Sequence, residues 1–270
     1  MRHWSSVVKW PTEQAKVAMR QRVEAQGFDL WRNCVGIIDG TLIVLKHAPP
    51  LPRHEMLEFK NYRKQQYGLQ ATVICDDRRR ITQFSCHLPG AAHDARAYRL
   101  IAAHRSPETH FTGRQFLLAD AAYPLSPYCI TPFKAPRNGV LSKDKKKFNR
   151  HLSGLRITIE HTIGILKERF ASLQGLPHRI RGDKDKRSLL KWIGSCVILH
   201  NLLRDQDDLW VDDGQEPDTP PDEEAYMSGS DSDGDEDVAG TGDGATNGIA
   251  VREAMFQEFK HAMHNPGVVY

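Results

Sequence analysis

The chain is short of cysteines, of aromatics and of long apolar runs, and the first and last of these shortages each exclude a class of protein. No stretch reaches the roughly 18 consecutive apolar residues of a membrane-spanning helix, and residues 1–10 carry Arg2, His3 and Lys9 where a signal peptide would need an apolar core. A membrane partner is therefore not expected. The five cysteines, Cys34, Cys75, Cys86, Cys129 and Cys196, are odd in number, scattered, and form no C-x-x-C pair. Neither a disulfide scaffold nor a zinc finger fits that pattern, and reduced thiols are expected. What is present is a chain of 270 residues, 40% hydrophobic and 26% charged, long enough for one substantial core.

The formal net charge of +3 conceals two opposite regions. Residues 205–243 contain 16 acidic side chains and no Lys or Arg, whereas residues 1–204 hold 35 basic against 16 acidic, a net charge of +19. A field of that size favours a polyanion, and nucleic acid is the obvious one, although charge alone does not separate DNA from RNA. The acidic stretch is poor in apolar residues and rich in Gly, Ser, Pro and Thr, a composition that predicts disorder. Beyond it, Val251, Met255, Phe259 and Met263 recur every four residues, the spacing of a helix that either docks back or lies on the surface. The organisation read from this is a helical lead-in over 1–33, an α/β body over 34–204, an acidic disordered linker over 205–248 and a short helix within 249–270.

Within the body, Pro11 opens a predicted helix through Gln26 that Gly27 closes. Cys34 to Lys46 is an apolar, β-branched run interrupted by Asp39, followed by two strands, Gln66 to Cys75 and Arg80 to His87, joined by a turn. Asp94 caps a helix through Ala103 in this reading. Gln115 to Asp120 and Cys129 to Phe133 complete a five-stranded α/β fold. Leu152, Leu155, Ile159, Ile163, Leu166, Phe170 and Leu173 then mark a long helix with one buried face, and Leu189 to Leu203 a second.

Three carboxylates stand out. Asp39 lies inside an apolar strand, where a bare charge needs a cation or donor to offset its desolvation. Asp120 ends a strand, and strand C-termini of open α/β sheets are where ligands usually sit. Glu160 lies at the margin of the long helix's apolar stripe, with Arg156 one turn before it, Gly164 one turn after, and Lys167 continuing that side. Three such groups suit two hard divalent cations, magnesium or manganese, of the kind that activate water in phosphodiester cleavage. Each also has an ordinary alternative: Asp39-Gly40 as a hairpin turn, Asp120 as the cap of the next turn, Glu160 as a surface acid paired with Arg156.

The blocks Cys34-Val-Gly-Ile-Ile-Asp-Gly-Thr41, His87-Leu-Pro-Gly-Ala-Ala-His-Asp-Ala-Arg96, Leu117-Leu-Ala-Asp-Ala-Ala-Tyr-Pro124 and Thr131-Pro-Phe133 resemble, in order, those of the PIF/Harbinger DDE transposases. Ile159-Glu-His-Thr-Ile-Gly-Ile-Leu-Lys-Glu-Arg-Phe170 is similar to the helix that carries the family's glutamate, and Cys196-Val-Ile-Leu-His-Asn-Leu202 to its closing helix. The resemblance implies an RNase H-like domain with a mixed five-stranded sheet flanked by helices. It also implies a metal-dependent DNA endonuclease or transposase with Asp39, Asp120 and Glu160 as a metal-binding catalytic triad, and strand transfer after hydrolysis. The family's Gly-Asp-Ser-Gly-Tyr type of motif stands here as Ala119-Asp-Ala-Ala-Tyr123, so the carboxylate is kept and its neighbours differ. A catalytically silent, DNA-binding derivative is the alternative.

Asp94 is a secondary site candidate, with capping as its ordinary role. His93 and His161 either contact phosphate or make structural hydrogen bonds, and His200 reads as a core histidine. The expected DNA-binding residues are Arg78, Arg79, Arg80, Lys143, Lys145, Lys146, Lys147, Arg156 and Lys167, each cluster equally readable as solvated surface. The resemblance further implies a Myb-like partner protein and nuclear localisation; a homo-oligomer and a cytoplasmic pool are also compatible with the sequence.

Overall fold

In the computed structural model, the described residues are 6–206 and 243–264; most of the acidic stretch lies outside them. Thr12, not Pro11, opens the first helix: its hydroxyl accepts from the Ala15 amide and caps α1 (Glu13–Ala25), which ends before Gly27 at φ +79°. There follow β1 (Cys34–Val44), α2 (Arg53–Glu58), β2 (Lys60–Asn61), β3 (Gln66–Cys75), β4 (Ile81–Pro89), α3 (Asp94–Tyr98), α4 (Ala102–Arg105), α5 (Pro107–His110), β5 (Phe116–Leu118) and β6 (Cys129–Ile130). Three long helices complete the chain: α6 (Lys143–Arg169), α7 (Asp183–Asp205) and α8 (Asp243–His264).

The strands form one open, mixed sheet of six, in the order β2-β3-β1-β5-β6, with β4 also paired to β3. β1, β3 and β4 pair antiparallel, whereas β1, β5 and β6 run parallel. The sixth strand corrects the expectation of five. β2 is two residues long, too short to carry an alternating pattern, and exists because β3 extends past β4 to offer Gln66 and Tyr67 as partners. The β3–β4 turn is set by Asp76, whose carboxylate accepts from the amides of Arg78 and Arg80, while Arg79 takes φ +63°.

Alternation along the strands builds two cores. Ile37, Ile43, Leu69, Ala71, Val73 and Cys75 pack with the apolar stripes of α1, α6, α7 and α8. Val35, Ile38, Ile74 and Leu117 pack on the other side with Tyr98, Ile101 and Phe111 of the α3–α5 region. All five cysteines are buried free thiols.

Several expected helices differ in extent: α7 begins six residues before Leu189, and α8 begins at Asp243, inside the stretch expected as linker. The helix predicted from Asp94 to Ala103 is broken, because Ile101 adopts extended backbone that buries its side chain beside Tyr98. α6 begins well before Leu152: Ser142 caps it by accepting from Lys145, and Phe148 and Asn149 prolong the buried face. The lysines at 143 and 145–147 therefore form its first turn and do not precede it. α8 docks Phe256 and Phe259 against Phe148, 5.7 and 5.6 Å between ring centres. Arg252 caps this contact by donating to the carbonyls of Thr131 and Pro132. No helix among the described residues is long and apolar enough to cross a membrane.

Candidate active site

The parallel register of β1 and β5 brings two of the expected carboxylates together. Ile37 stands opposite Leu118 in the last paired position of these strands, and each chain then runs two residues further, to Asp39 and Asp120. Both acids thus lie at the C-terminal end of the parallel pair, where β1 and β5 part. β1 itself continues straight through Asp39 and Gly40, opposite Val73 and Thr72 of β3, so these residues are not a hairpin turn. Asp39 Oδ1 accepts from the Gly40 amide at 2.7 Å, and Asp120 Oδ1 accepts from the Ala122 amide at 2.8 Å, the turn-capping role available to it. Burial pushes the Asp39 carboxyl up to about 7; Arg156 opposes this, while the Asp120 and Asp94 charges add to it.

Asp94 does not act as a cap. His93 occupies the N-cap position of α3 without a side-chain cap bond, and the Asp94 carboxylate instead accepts from Gln70 Nε2 at 2.6 Å. That carboxylate lies against the α-carbon of Gly40, in space that a Cβ would fill. Burial, and next the Asp120 charge, raise its pKa, and its own charge raises that of Asp39, which ties Asp94 electrostatically to both strand acids. Gln70 is buried in the middle of β3 and carries no sequence signal of its own.

Glu160 reaches this group through Arg156. On α6 the two residues are one turn apart, and Arg156 Nη2 lies 3.6 Å from Glu160 Oε1 and 3.6 Å from Asp39 Oδ2. The Arg156 side chain is only 11% exposed, against 54% for Glu160, so the arginine is inside the site and the glutamate at its mouth. Arg156, expected on a DNA-binding surface, is thus the counter-charge between two acids. Among the described residues no three His, Cys, Asp or Glu side chains form a ready-made metal cluster. Gly164 faces open space.

Tyr123 is a further neighbour. Its buried hydroxyl has no hydrogen-bond partner among the described residues, and burial together with Asp94, Asp39 and Asp120 holds it protonated far above the ordinary phenol range. Its signal in the sequence is the Ala119-Asp-Ala-Ala-Tyr123 block, which places it three residues after Asp120. Arg63, on the β2–β3 connection, is close enough to Asp94 to favour its charged form.

The remaining expected contacts are dispersed. Lys167 donates to the Leu42 carbonyl at 3.1 Å near the end of β1, and burial lowers its pKa to about 8. Arg79 bonds His161, Arg80 pairs with Asp205 and donates to the Val7 carbonyl, and Arg78 is exposed. This turn lies at the opposite end of β1 from its C-terminus, since Cys75 pairs with Ile37. Lys143, Lys146 and Lys147 are exposed on the first turn of α6, with Lys145 over the Phe133 ring. His93 is exposed, and His200 is fully buried with Nε2 on the Arg79 carbonyl.

Residues 38–201 match the family described as DDE superfamily endonuclease. The chain is 26% identical over 234 residues to "Putative nuclease HARBI1" of Mus musculus, covering 86% of this chain and 64% of that protein. It is 25% identical over 194 residues to "Protein ALP1-like" of Arabidopsis thaliana, covering 67% of this chain and 45% of that one. The "Putative nuclease HARBI1" of Xenopus laevis is 25% identical over 173 residues, 64% of this chain and 47% of the relative. The chain thus spans less than two thirds of these relatives' lengths. No solved structure matches.

Proposed function

The chain belongs to the DDE superfamily endonucleases, and from that premise we propose that it cleaves DNA by divalent-metal-dependent phosphodiester hydrolysis at Asp39, Asp120 and Glu160. The observation that carries the reading is the meeting of Asp39 and Asp120 at the parting ends of β1 and β5, with Glu160 tied to Asp39 through Arg156. The strand order and the mixed pairing support an RNase H-like sheet for this domain.

The donor set fits magnesium or manganese: the oxygens are hard carboxylates, and mutual repulsion with burial leaves Asp39 short of positive charge. Asp39, Asp120 and Glu160 would hold the ions, with Asp94 beside them as a fourth carboxylate. When bound, two such ions supply polarisation of the phosphoryl group and activation of water. Asp39 gives up its proton to serve as a ligand, so cation binding weakens below neutral pH. Gln70 keeps Asp94 pointed at Gly40, and the backbone amides of Gly40 and Ala122 orient one oxygen each of Asp39 and Asp120. Arg63 and Lys167 supply positive charge near the same end of the sheet for the DNA backbone. Hydrolysis breaks one P–O bond and leaves a 3′-hydroxyl and a 5′-phosphate; attack of that hydroxyl on a second DNA is the strand-transfer extension.

The test is nicking of supercoiled DNA by the purified chain with Mg²⁺ or Mn²⁺. Nicking that is lost in Asp39→Asn, Asp120→Asn and Glu160→Gln, with DNA binding kept, is the expected result. Metal-dependent nicking that survives in Asp120→Asn overturns the assignment, and binding without nicking in the unmutated chain identifies a noncatalytic derivative.

A further inference from the structure

We propose that Arg156 is an exchangeable counter-ion, seated between Asp39 and Glu160 until a divalent cation takes its place, and then turned to the DNA phosphate. The inference rests on the metal-site reading above and adds a coupling between cation and DNA. Three observations carry it. The guanidinium bridges both acids from 3.6 Å, beyond hydrogen-bond length, so it offsets part of their charge without consuming their donor geometry. Its Nε is buried without a hydrogen-bond partner among the described residues, so the arginine is only partly satisfied where it sits. And the carboxylates are not assembled into a three-ligand cluster in this arrangement.

The physics of exchange follows from charge. A dication drawn to Asp39 and Glu160 meets a guanidinium that already offsets part of their charge, and the two cations repel at close range beside the buried end of Asp39. Either the cation binds weakly or the arginine leaves. Glu160, one turn further along α6, is exposed at the mouth of the site, so the long Arg156 side chain has a route outward past it. A DNA phosphate at the mouth offers the displaced guanidinium a bidentate partner. Cation and DNA therefore each lower the cost of the other's binding, and by linkage the effect is reciprocal. Arg156 acts here as a positioning residue.

Mn²⁺ binding to the full chain without DNA, followed by the free-ion EPR signal, tests this directly. Arg156→Gln is expected to bind Mn²⁺ about tenfold more tightly than the unmutated chain, within the usual range of such couplings, whereas Arg156→Lys, which keeps the charge, stays near the original affinity. In parallel, Ca²⁺ should tighten binding of a short fluorescein-labelled duplex more in the unmutated chain than in Arg156→Gln. Arg156→Met serves as a second neutral variant if the glutamine form does not fold. Unchanged or weaker Mn²⁺ binding in the neutral variants overturns the proposal, because an inert surface pair predicts the first and a scaffold for Glu160 predicts the second. An Asp39→Asn control separates the two levels. If Mn²⁺ binds that variant as well as the unmutated chain, the metal-site reading itself fails; if Asp39→Asn loses Mn²⁺ while Arg156→Gln is unchanged, only the exchange fails.

Discussion

Gln70 donates its side-chain amide to Asp94 at 2.6 Å, across the α-carbon of Gly40. One residue lies in the middle of β3, the other opens α3, and the contact fixes a carboxylate beside two strand acids. Replacing Gln70 by Leu keeps the volume and removes the donor. Metal-dependent nicking is expected to fall about tenfold to a hundredfold with the melting temperature little changed, as for other residues that orient a ligand. Undiminished nicking in Gln70→Leu would show that Asp94 needs no such support.

Gly40 is required by space. A methyl there collides with the Asp94 carboxylate and the Gln70 amide, so Gly40→Ala is expected to cost about 1–3 kcal/mol of stability and to abolish nicking. Urea unfolding read against the unmutated chain measures the first, and the supercoiled-DNA assay the second. A stable, active Gly40→Ala protein contradicts the packing described.

Asp39 makes the metal-free fold weaker as pH rises. Its carboxyl is raised by burial to about 7, above the unfolded value of 3.8, so between those limits the unfolded chain ionises first and stability is lost; above them the loss is complete. Asp39→Asn is therefore expected to melt higher than the unmutated chain at pH 8 in EDTA, with the advantage vanishing toward pH 4. Equal melting temperatures at both pH values would show that the carboxylate carries no such burden.

His200 acts in the opposite pH direction. Burial first, and then Arg169 and Arg204, lower its pKa from 6.5 to about 4 against its bond to the Arg79 carbonyl. Below pH 6.5 the unfolded chain takes up the proton first, so stability drains away as pH falls toward 4. His200→Gln, which retains a donor for that carbonyl, should flatten the melting-temperature profile across this window. A profile of unchanged slope would assign the acid sensitivity to other groups.

The docked α8 helix is part of the core. Phe256 sits 5.2 Å from Phe133 and 5.7 Å from Phe148, ring centre to ring centre, and is buried. Phe256→Ala is expected to cost about 3–5 kcal/mol, seen as a large shift in the denaturation midpoint. A shift near zero would mean that α8 contributes little to the folded body.

Local pattern made much of this legible. The apolar run around Asp39, the strand ending at Asp120 and the stripe on α6 are each contained within one element, and periodicity reads single elements. Helix limits were less legible: the lysines at the start of α6 mask the buried Phe148, and nothing in residues 94–103 announces that Ile101 turns inward. Asp94 looked like a cap because sequence shows the helix that follows and not the Gln70 amide waiting on another strand.

By itself the sequence determined which carboxylates exist, the charge contrast between residues 1–204 and 205–243, and the elements that carry each acid. Only the tertiary structure decided their mutual relations. The step of two residues beyond Ile37 and Leu118 sets Asp39 and Asp120 together, a matter of parallel register. The seat of Arg156 between Asp39 and Glu160 depends on how α6 lies across β1. Electrostatic energy varies with distance and burial, and both quantities are properties of packed elements with no counterpart in the linear order of residues.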